Sequence, residues 1–211
     1  MYLGVIRYFG EREAAIIGHD WGAAIAWALA EQAPQYVSKL AALQVPPMAL
    51  WWRNLTLRQV LRSWYMLSFQ IPWLPEWILR RRNRRLLERL LRQTAARPGS
   101  LSKEDLAVYH DSWQQEGALT AAVNYYRANL LRFFVERDNH SGDVRDRRIA
   151  APTLFVYGEQ DVTVVPATVQ HVGRYVAGPY QELRIPNAGH WVQTDAPAQV
   201  NVALRRLLEG H

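Results

Sequence analysis

The sequence predicts an α/β fold whose parallel sheet is interrupted by a long helical insertion. Apolar strand patterns at residues 14–18 and 39–45 flank a helical pattern at 21–33, as in the strand–helix–strand unit of a parallel sheet. Long helical patterns follow, and no convincing strand appears before residue 153. Two further apolar strands and a final helix then complete the pattern, at 153–157, 183–185 and 198–208. These observations divide the chain into two core segments and one insertion.

We place the first core segment at residues 1–46, a helical cap at 47–148 and the second core segment at 149–211. Each predicted element is a run with helical or strand periodicity between turn residues. The remaining elements, in chain order, are helices at 2–9, 55–70, 75–94, 102–116, 118–137 and 167–176. The polar residues 138–148 are predicted to connect the cap to the core.

Local residues justify the boundaries of several elements. Gly10 ends the first helix, and Pro34 ends the second. The strand at 14–18 is fully apolar, which is typical of a parallel strand buried on both faces. Ser102 and Asp105 have the spacing of a capping box at the start of a helix.

The composition is that of an ordinary globular protein. The chain has 211 residues, of which 49% are hydrophobic and 21% charged. It contains no cysteine, which excludes disulfides, thiolate metal sites and cysteine nucleophiles. We expect no metal and no cofactor. Because neither a secretory signal nor a membrane-spanning apolar run is recognisable, we expect a cytoplasmic protein.

Much of the formal net charge of +6 lies in one segment, residues 80–97, where arginines alternate with leucines at helical spacing. An amphipathic helix with a basic face toward solvent explains this pattern. We favour that interpretation over contact with phosphates, and therefore expect no nucleic-acid partner.

Five tryptophans precede or adjoin the arginine run: Trp51, Trp52, Trp64, Trp73 and Trp77. Aromatic residues followed by basic ones occur in helices that lie in a membrane interface. The same residues could instead line an apolar substrate cavity under the cap. We favour the cavity, and contact with a membrane surface is the less favoured alternative.

The motif Gly-His-Asp-Trp-Gly-Ala at residues 18–23 stands between the first strand and the second helix. Small residues around one reactive residue permit a strained strand-to-helix turn that raises its side chain above the sheet. Asp20 has the nucleophile position, and a carboxylate can attack saturated carbon without an adjacent base. The resulting ester needs a histidine, oriented by an acid, to activate water. In the competing interpretation, Asp20 only caps the helix.

Asp161 and His190 meet this requirement. Each follows a predicted strand, and the carboxyl ends of parallel strands meet at one edge of a sheet. The order of nucleophile, acid and histidine along the chain is that of a hydrolase with a nucleophile elbow. Taken separately, Asp161 could be a turn former and His190 a structural residue.

The motifs resemble those of soluble epoxide hydrolases with the α/β-hydrolase fold. The resemblance rests on the elbow motif, on Gly-Glu-Gln-Asp at 158–161, on Asn-Ala-Gly-His-Trp at 187–191 and on two insertion stretches at 63–72 and 124–127. It runs over essentially the whole chain. It implies a helical cap over a partial parallel sheet, and conversion of a small lipophilic epoxide and water to a vicinal diol through an ester on Asp20.

The resemblance also implies roles for residues around the nucleophile. Tyr65 and Tyr126 would donate hydrogen bonds to the epoxide oxygen, for which the neighbouring Tyr125 is less suited. An alkoxide is a poor leaving group, and tyrosine is protonated at neutral pH and can supply the proton. In the competing interpretation, both tyrosines are ordinary half-buried aromatics of a helix. The backbone N–H of Trp21 would bind the oxyanion, and we expect His19 and Trp191 beside it at the substrate site.

Two alternative functions remain. Haloalkane dehalogenases resemble this sequence equally around Asp20 and Trp21, where the indole N–H holds the halide. A departing halide needs no proton, so the two tyrosines favour epoxides.

In the family, several strands and a His-Gly-x-Pro loop precede the elbow, whereas the nineteen residues before Asp20 match neither. We therefore also consider a truncated, non-catalytic fragment whose strand at 14–18 lies at an apolar edge and permits self-association.

Overall fold

The computed structural model describes residues 2–81, 85–97, 99–139 and 148–210. Its four strands form one parallel sheet in the order β1-β2-β3-β4. Their bounds are β1 Ala14–His19, β2 Val37–Leu43, β3 Thr153–Gly158 and β4 Tyr180–Ile185. The α/β prediction is confirmed, and β1 lies at one edge of this sheet.

The described helices fall into a core set and an insertion set. The core set is α1 Tyr2–Tyr8, α2 Trp21–Gln32, α10 Val192–Asp195 and α11 Pro197–Glu209. The insertion set, which lies between β2 and β3, is α3 Met48–Arg53, α4 Leu57–Arg62, α5 Tyr65–Ser68, α6 Leu74–Arg81, α7 Arg85–Thr94, α8 Lys103–Gln114 and α9 Ala118–Asn139. No helix in the described ranges is long and apolar enough to cross a membrane.

The two central strands carry the core on both faces because successive side chains of a strand point in opposite directions. Leu40 and Phe155 belong to the cluster that includes the buried residues of α2. Ala41 and Leu154 belong to a second cluster, which includes Val200 of α11. The sheet is therefore covered by α2 on one face and by α11 on the other.

Alanines allow α2 to lie close to the sheet. Ala23, Ala26 and Ala30 recur at helical spacing and are almost completely buried. Trp27 is the large residue of this face, and its indole N–H donates to the carbonyl oxygen of Val45 at 3.0 Å. The buried polar atom of the indole is thus satisfied.

The predicted insertion is helical, but some of its helices have other bounds than expected. The single helix predicted at 55–70 is wrong, because the chain turns at Ser63 and Trp64 between α4 and α5. Residues 48–53 form α3, which we did not predict. The pattern at 75–94 corresponds to α6 and α7, and residues 82–84 of its arginine run lie outside the described residues.

The prediction of one α-helix at residues 167–176 is also wrong. The structure has two 3-10 turns there, Pro166–Val169 and Val172–Tyr175, separated by His171 with a φ of 67°. Valine and glycine favour an α-helix only weakly, and a residue in the left-handed region interrupts it. Strand β4 begins three residues before the predicted one, with Tyr180 paired to Thr153. Of the predicted connection at 138–148, residues 140–147 lie outside the described ranges.

The substitution Gly18→Ala should destabilise the protein. An added Cβ would lie 2.2 Å from the backbone oxygen of Gly22, which cannot swing aside as a side chain can. We expect the free energy of unfolding, measured by urea denaturation, to fall by about 3 kcal/mol. Gly22→Ala is the matched control, because a Cβ there meets nothing within 4 Å. Equal stability of the two variants would contradict this close approach of β1 and α2.

Candidate active site

Asp20 occupies a strained turn between β1 and α2. Its φ of 51° and ψ of −119° lie where residues with side chains are rarely found. Its amide donates to the carbonyl of Leu43 at 3.3 Å, which ties the turn to the end of β2. The Asp20 side chain makes no capping hydrogen bond to α2 and remains 34% exposed. The capping interpretation therefore fails, and the carboxylate is available for another role.

Asp161 follows β3 and has a completely buried side chain. One carboxylate oxygen, Oδ1, accepts hydrogen bonds from the backbone amides of Thr163 and Val164 at 2.6 and 2.9 Å. The other, Oδ2, lies 2.9 Å from Nδ1 of His190. These three contacts compensate for burying a charge, and they orient the imidazole.

His190 stands between the two aspartates. Its Nε2 lies 3.6 Å from Oδ1 of Asp20, on the ring edge away from Asp161. Because Nδ1 faces the carboxylate of Asp161, the neutral imidazole carries its proton on Nδ1 and presents a lone pair on Nε2. The structure thus brings together the predicted nucleophile, acid and histidine.

The pKa of His190 reflects opposing influences. Burial lowers the pKa of its imidazole, and the hydrogen bond and charge of Asp161 raise it, with help from Asp20. The carboxylates prevail, so the pKa lies above the ordinary value for histidine. Burial lowers the pKa of the neighbouring His19, and the charge of His190 lowers it further. His190 is therefore the stronger base of the two.

Tyr65 and Tyr126 line the same cavity as Asp20 and Trp21. Their ring centroids are 5.8 Å apart, and the ring of Tyr126 contacts Trp21 edge-on at 5.3 Å. Burial is the main cause that raises the pKa of each phenol above its ordinary value, and the charge of Asp20 acts in the same direction. Both tyrosines therefore keep their protons at neutral pH. Tyr125 is 41% exposed and is not among the lining residues.

The cavity has a volume of about 210 Å³ and a largely apolar lining. Of the five tryptophans singled out in the sequence, Trp51, Trp52 and Trp64 line it. The exposed side chains of Trp73 and Trp77 do not, so the cavity interpretation holds for only three of the five. This lining suits an apolar molecule.

His19 and Trp191 lie behind the histidine and are not among the cavity-lining residues. Nε2 of His19 donates to the carbonyl of His190 at 2.8 Å, and the two rings are 4.9 Å apart. The indole of Trp191 donates to Oγ1 of Thr94 at 2.7 Å, and the amide of His190 donates to the Thr94 carbonyl at 3.1 Å. Both side chains thus contact the histidine loop or the residue bonded to it, and their place at the substrate site stays a prediction.

Two buried glutamines that the sequence patterns do not predict hold the loops of the site. Gln44 follows β2 with a φ of 72°; its side chain accepts from the amide of Gly158 at 2.8 Å and donates to the carbonyl of Gly189. The side-chain amide of Gln59, on α4, donates to the carbonyl of Thr163 and accepts from the backbone N–H of Val165, both in the loop after Asp161. The only sequence signal for Gln44 is an amide residue directly after an apolar strand, at the edge where Asp20 and Asp161 also lie.

No group of three or more acidic or histidine side chains in the described part of the chain could hold a metal ion.

A family model described as the α/β-hydrolase fold matches residues 4–197. This chain belongs to the α/β-hydrolase fold family. Among its curated relatives, Epoxide hydrolase 3 of Xenopus tropicalis is 33% identical over 97% of this chain and 55% of its own length. The AB hydrolase superfamily protein YfhM of Bacillus subtilis is 30% identical over 98% of this chain and 70% of its own length. The first of these shows that the chain spans about half the length of some curated relatives.

Solved structures of this family have the same fold. A mutant epoxide hydrolase of Bacillus megaterium, in complex with a naphthyloxy-propanediol product, superimposes with a TM-score of 0.78 at 27% identity. The match covers 97% of this chain and 72% of that one. This α/β hydrolase therefore has close structural relatives that are named epoxide hydrolases.

In Asp161→Asn, the pKa of His190 should fall below its ordinary value of about 6.5. Burial, which lowers the pKa, remains, whereas the carboxylate charge that raises it is lost. As the pH rises, the wild-type imidazole should therefore lose its positive charge above about pH 6.5, and the variant imidazole should lose it below about pH 6.5. An NMR titration measures both. Asp105→Asn, in the capping box of α8, is the control and should leave the titration unchanged. An unaltered titration in Asp161→Asn would contradict this electrostatic assignment.

Proposed function

We propose that this α/β hydrolase converts epoxides to vicinal diols through a covalent ester on Asp20. The observation that carries the proposal is the shared cavity, in which Asp20, Tyr65 and Tyr126 line one apolar space. This combination supplies a nucleophile for carbon and proton donors for oxygen. The named epoxide hydrolases among the relatives support the same reaction.

In the first step, an oxygen of Asp20 attacks one ring carbon and the bond from that carbon to the epoxide oxygen breaks. The electron pair of the broken bond remains on oxygen, which takes a proton from Tyr65 or Tyr126. The product is a hydroxyalkyl ester of Asp20. Because burial has already removed water from the phenols, their hydrogen bonds to the developing alkoxide are stronger than in solvent.

In the second step, His190 takes a proton from a water molecule, which attacks the ester carbonyl of Asp20. Asp161 stabilises the imidazolium that forms, as its 2.9 Å contact with Nδ1 allows. The oxyanion accepts a hydrogen bond from the backbone N–H of Trp21, the first residue of α2. Collapse of the tetrahedral intermediate breaks the ester bond, and the expelled alkoxide takes the remaining proton of the attacking water, which releases the diol and leaves Asp20 as a carboxylate. His190 returns its proton to the phenolate, which restores the tyrosine.

The substrate class follows from the lining of the cavity. The tryptophans Trp51, Trp52 and Trp64 offer flat apolar surfaces, so we assign an uncharged epoxide with a bulky lipophilic substituent. The Bacillus megaterium relative releases a diol of this kind. Residues 47–148 would act as the cap that excludes water from this space, and His19 and Trp191 would support the base.

His190→Gln should stop the reaction at the ester. The variant retains Asp20 and both tyrosines but lacks the base that activates water. After incubation with an aryl glycidyl ether, intact mass spectrometry should show protein heavier by the mass of the whole epoxide, because no group leaves. The double variant with Asp20→Asn is the control and should show no adduct. An adduct on that control, or continued diol formation by His190→Gln, would refute the covalent mechanism.

Tyr65→Phe and Tyr126→Phe distinguish epoxide opening from dehalogenation. Loss of a proton donor should slow diol formation by about a hundredfold, whereas a halide needs no proton and its release should be unaffected. Diol is measured by chromatography and halide by ion chromatography, with Tyr125→Phe as the control outside the cavity.

Halide release without diol formation would favour the haloalkane alternative. In that case Tyr65→Phe should hardly change the rate of halide release. A folded protein that forms neither product would favour the non-catalytic alternative. Diol formation that is insensitive to both tyrosine substitutions would refute the proposed proton donors.

A further inference from the structure

Arg127, which the reaction described above does not use, connects the two tyrosine-bearing parts of the insertion. It follows Tyr126 directly on α9, and its guanidinium reaches the segment that follows Tyr65. Nε donates to the carbonyl of Phe69 at 2.9 Å, and Nη2 donates to the carbonyl of Ile71 at 2.9 Å. The two terminal nitrogens also pair with both carboxylate oxygens of Glu76.

The Tyr65 segment depends on such external contacts. Helix α5 has only four residues, none of which is fully buried, so it is too short to be stable alone. The amide of Phe69 donates to the carbonyl of Tyr65 at 3.1 Å, and the carbonyl of Phe69 accepts from Arg127. One continuous set of hydrogen bonds therefore runs from Arg127 to the backbone of Tyr65.

Aromatic contacts follow the same path. The ring of Phe69 lies edge-on to Tyr126, with centroids 4.9 Å apart, and to Tyr65 at 5.7 Å. The side-chain Nε2 of Gln70 donates to the carbonyl of Tyr126 at 3.4 Å. A shift of residues 69–71 would thus move Tyr65 relative to Tyr126.

We propose that Arg127 is a positioning residue that sets the separation of the Tyr65 and Tyr126 hydroxyls. Two hydroxyl donors bind one oxygen well only when both lie within hydrogen-bond distance of it. The separation of the two hydroxyls therefore determines how strongly the site binds that oxygen. A guanidinium suits this task because its planar, fixed donors can serve two carbonyls and a carboxylate together. The inference rests on the proposed role of the two tyrosines.

Glu76 makes the arrangement specific to arginine. Its side chain is 10% exposed and that of Arg127 is 24% exposed, so the pair is partly removed from solvent. A bidentate pair in such a place fixes the orientation of the guanidinium more firmly than an exposed ion pair does. The exposed pair of Arg92 and Glu88 on α7, at 44% and 30%, offers a matched comparison within the insertion.

The test measures binding and does not require turnover. The probe is benzamide, a neutral aryl amide whose carbonyl oxygen can accept two hydrogen bonds as the epoxide oxygen would. Its dissociation constant is measured by the change in tryptophan fluorescence, because Trp21, Trp51 and Trp52 line the cavity. The proteins compared are the wild type, Arg127→Gln, Tyr126→Phe, the double variant and Arg92→Gln.

Loss of one hydrogen bond to a neutral oxygen should weaken binding about fivefold in Tyr126→Phe. Arg127→Gln should weaken it about as much in the wild-type background and hardly at all when Tyr126 is already phenylalanine. Arg92→Gln should bind as the wild type does. If Arg127→Gln does not fold, Arg127→Lys carries the same comparison, since lysine can retain the pairing with Glu76 but not both carbonyl contacts.

Equal losses from the Arg127 substitution in both backgrounds would overturn the inference, because a merely structural role acts regardless of Tyr126. Wild-type affinity in Arg127→Gln, or no binding of benzamide to the wild type, would also overturn it. Non-additive losses in a protein that opens no epoxide would support the positioning role and refute the proposed reaction. The experiment therefore distinguishes a failure of the positioning role of Arg127 from a failure of the proposed epoxide opening.

Discussion

The buried carboxylate of Asp161 is the group on which the site depends. Placing a full charge at a completely buried position is costly unless hydrogen bonds replace the lost water, and two backbone amides and His190 do so. The loop that supplies those amides is itself tied to the insertion, because Gln59 binds it at Thr163 and Val165. The insertion thus contributes to the alignment of the base as well as to the walls of the cavity.

The strand ends meet at the carboxyl edge of the sheet, and this places Asp20 and Gln44 close to the charge of Asp161. Asp20 can rise between β1 and α2 only because Gly18 has no side chain to meet the oxygen of Gly22. Gln44, at the end of β2, joins the last residue of β3 to the histidine loop through one side-chain amide. The site is therefore an outcome of the strand order, with each strand end contributing one part.

Much of this arrangement could be predicted from residues alone, and the exceptions have physical causes. Asp20, Asp161 and His190 were predictable because each follows an apolar strand in a fixed order. The break at Ser63 and Trp64 was not, since it depends on contacts of α4 with the Asp161 loop and of residues 69–71 with Arg127. The positions of Gln44 and Gln59 likewise arise from distant backbone partners. The catalytic roles of Tyr65 and Tyr126 stay predictions.

The contacts of Thr94 have a consequence for how the cavity can open. The end of α7 is bonded to the histidine loop through the amide of His190 and the indole of Trp191, and Asp195 joins Ala96 to Gly189. A rigid movement of the whole insertion would break these bonds and displace the base. Helices α3–α5, which form the tryptophan-lined wall, can move without breaking them. Movement of α4 would instead break the two bonds of Gln59 to the Asp161 loop, so both sides of the insertion restrain the base.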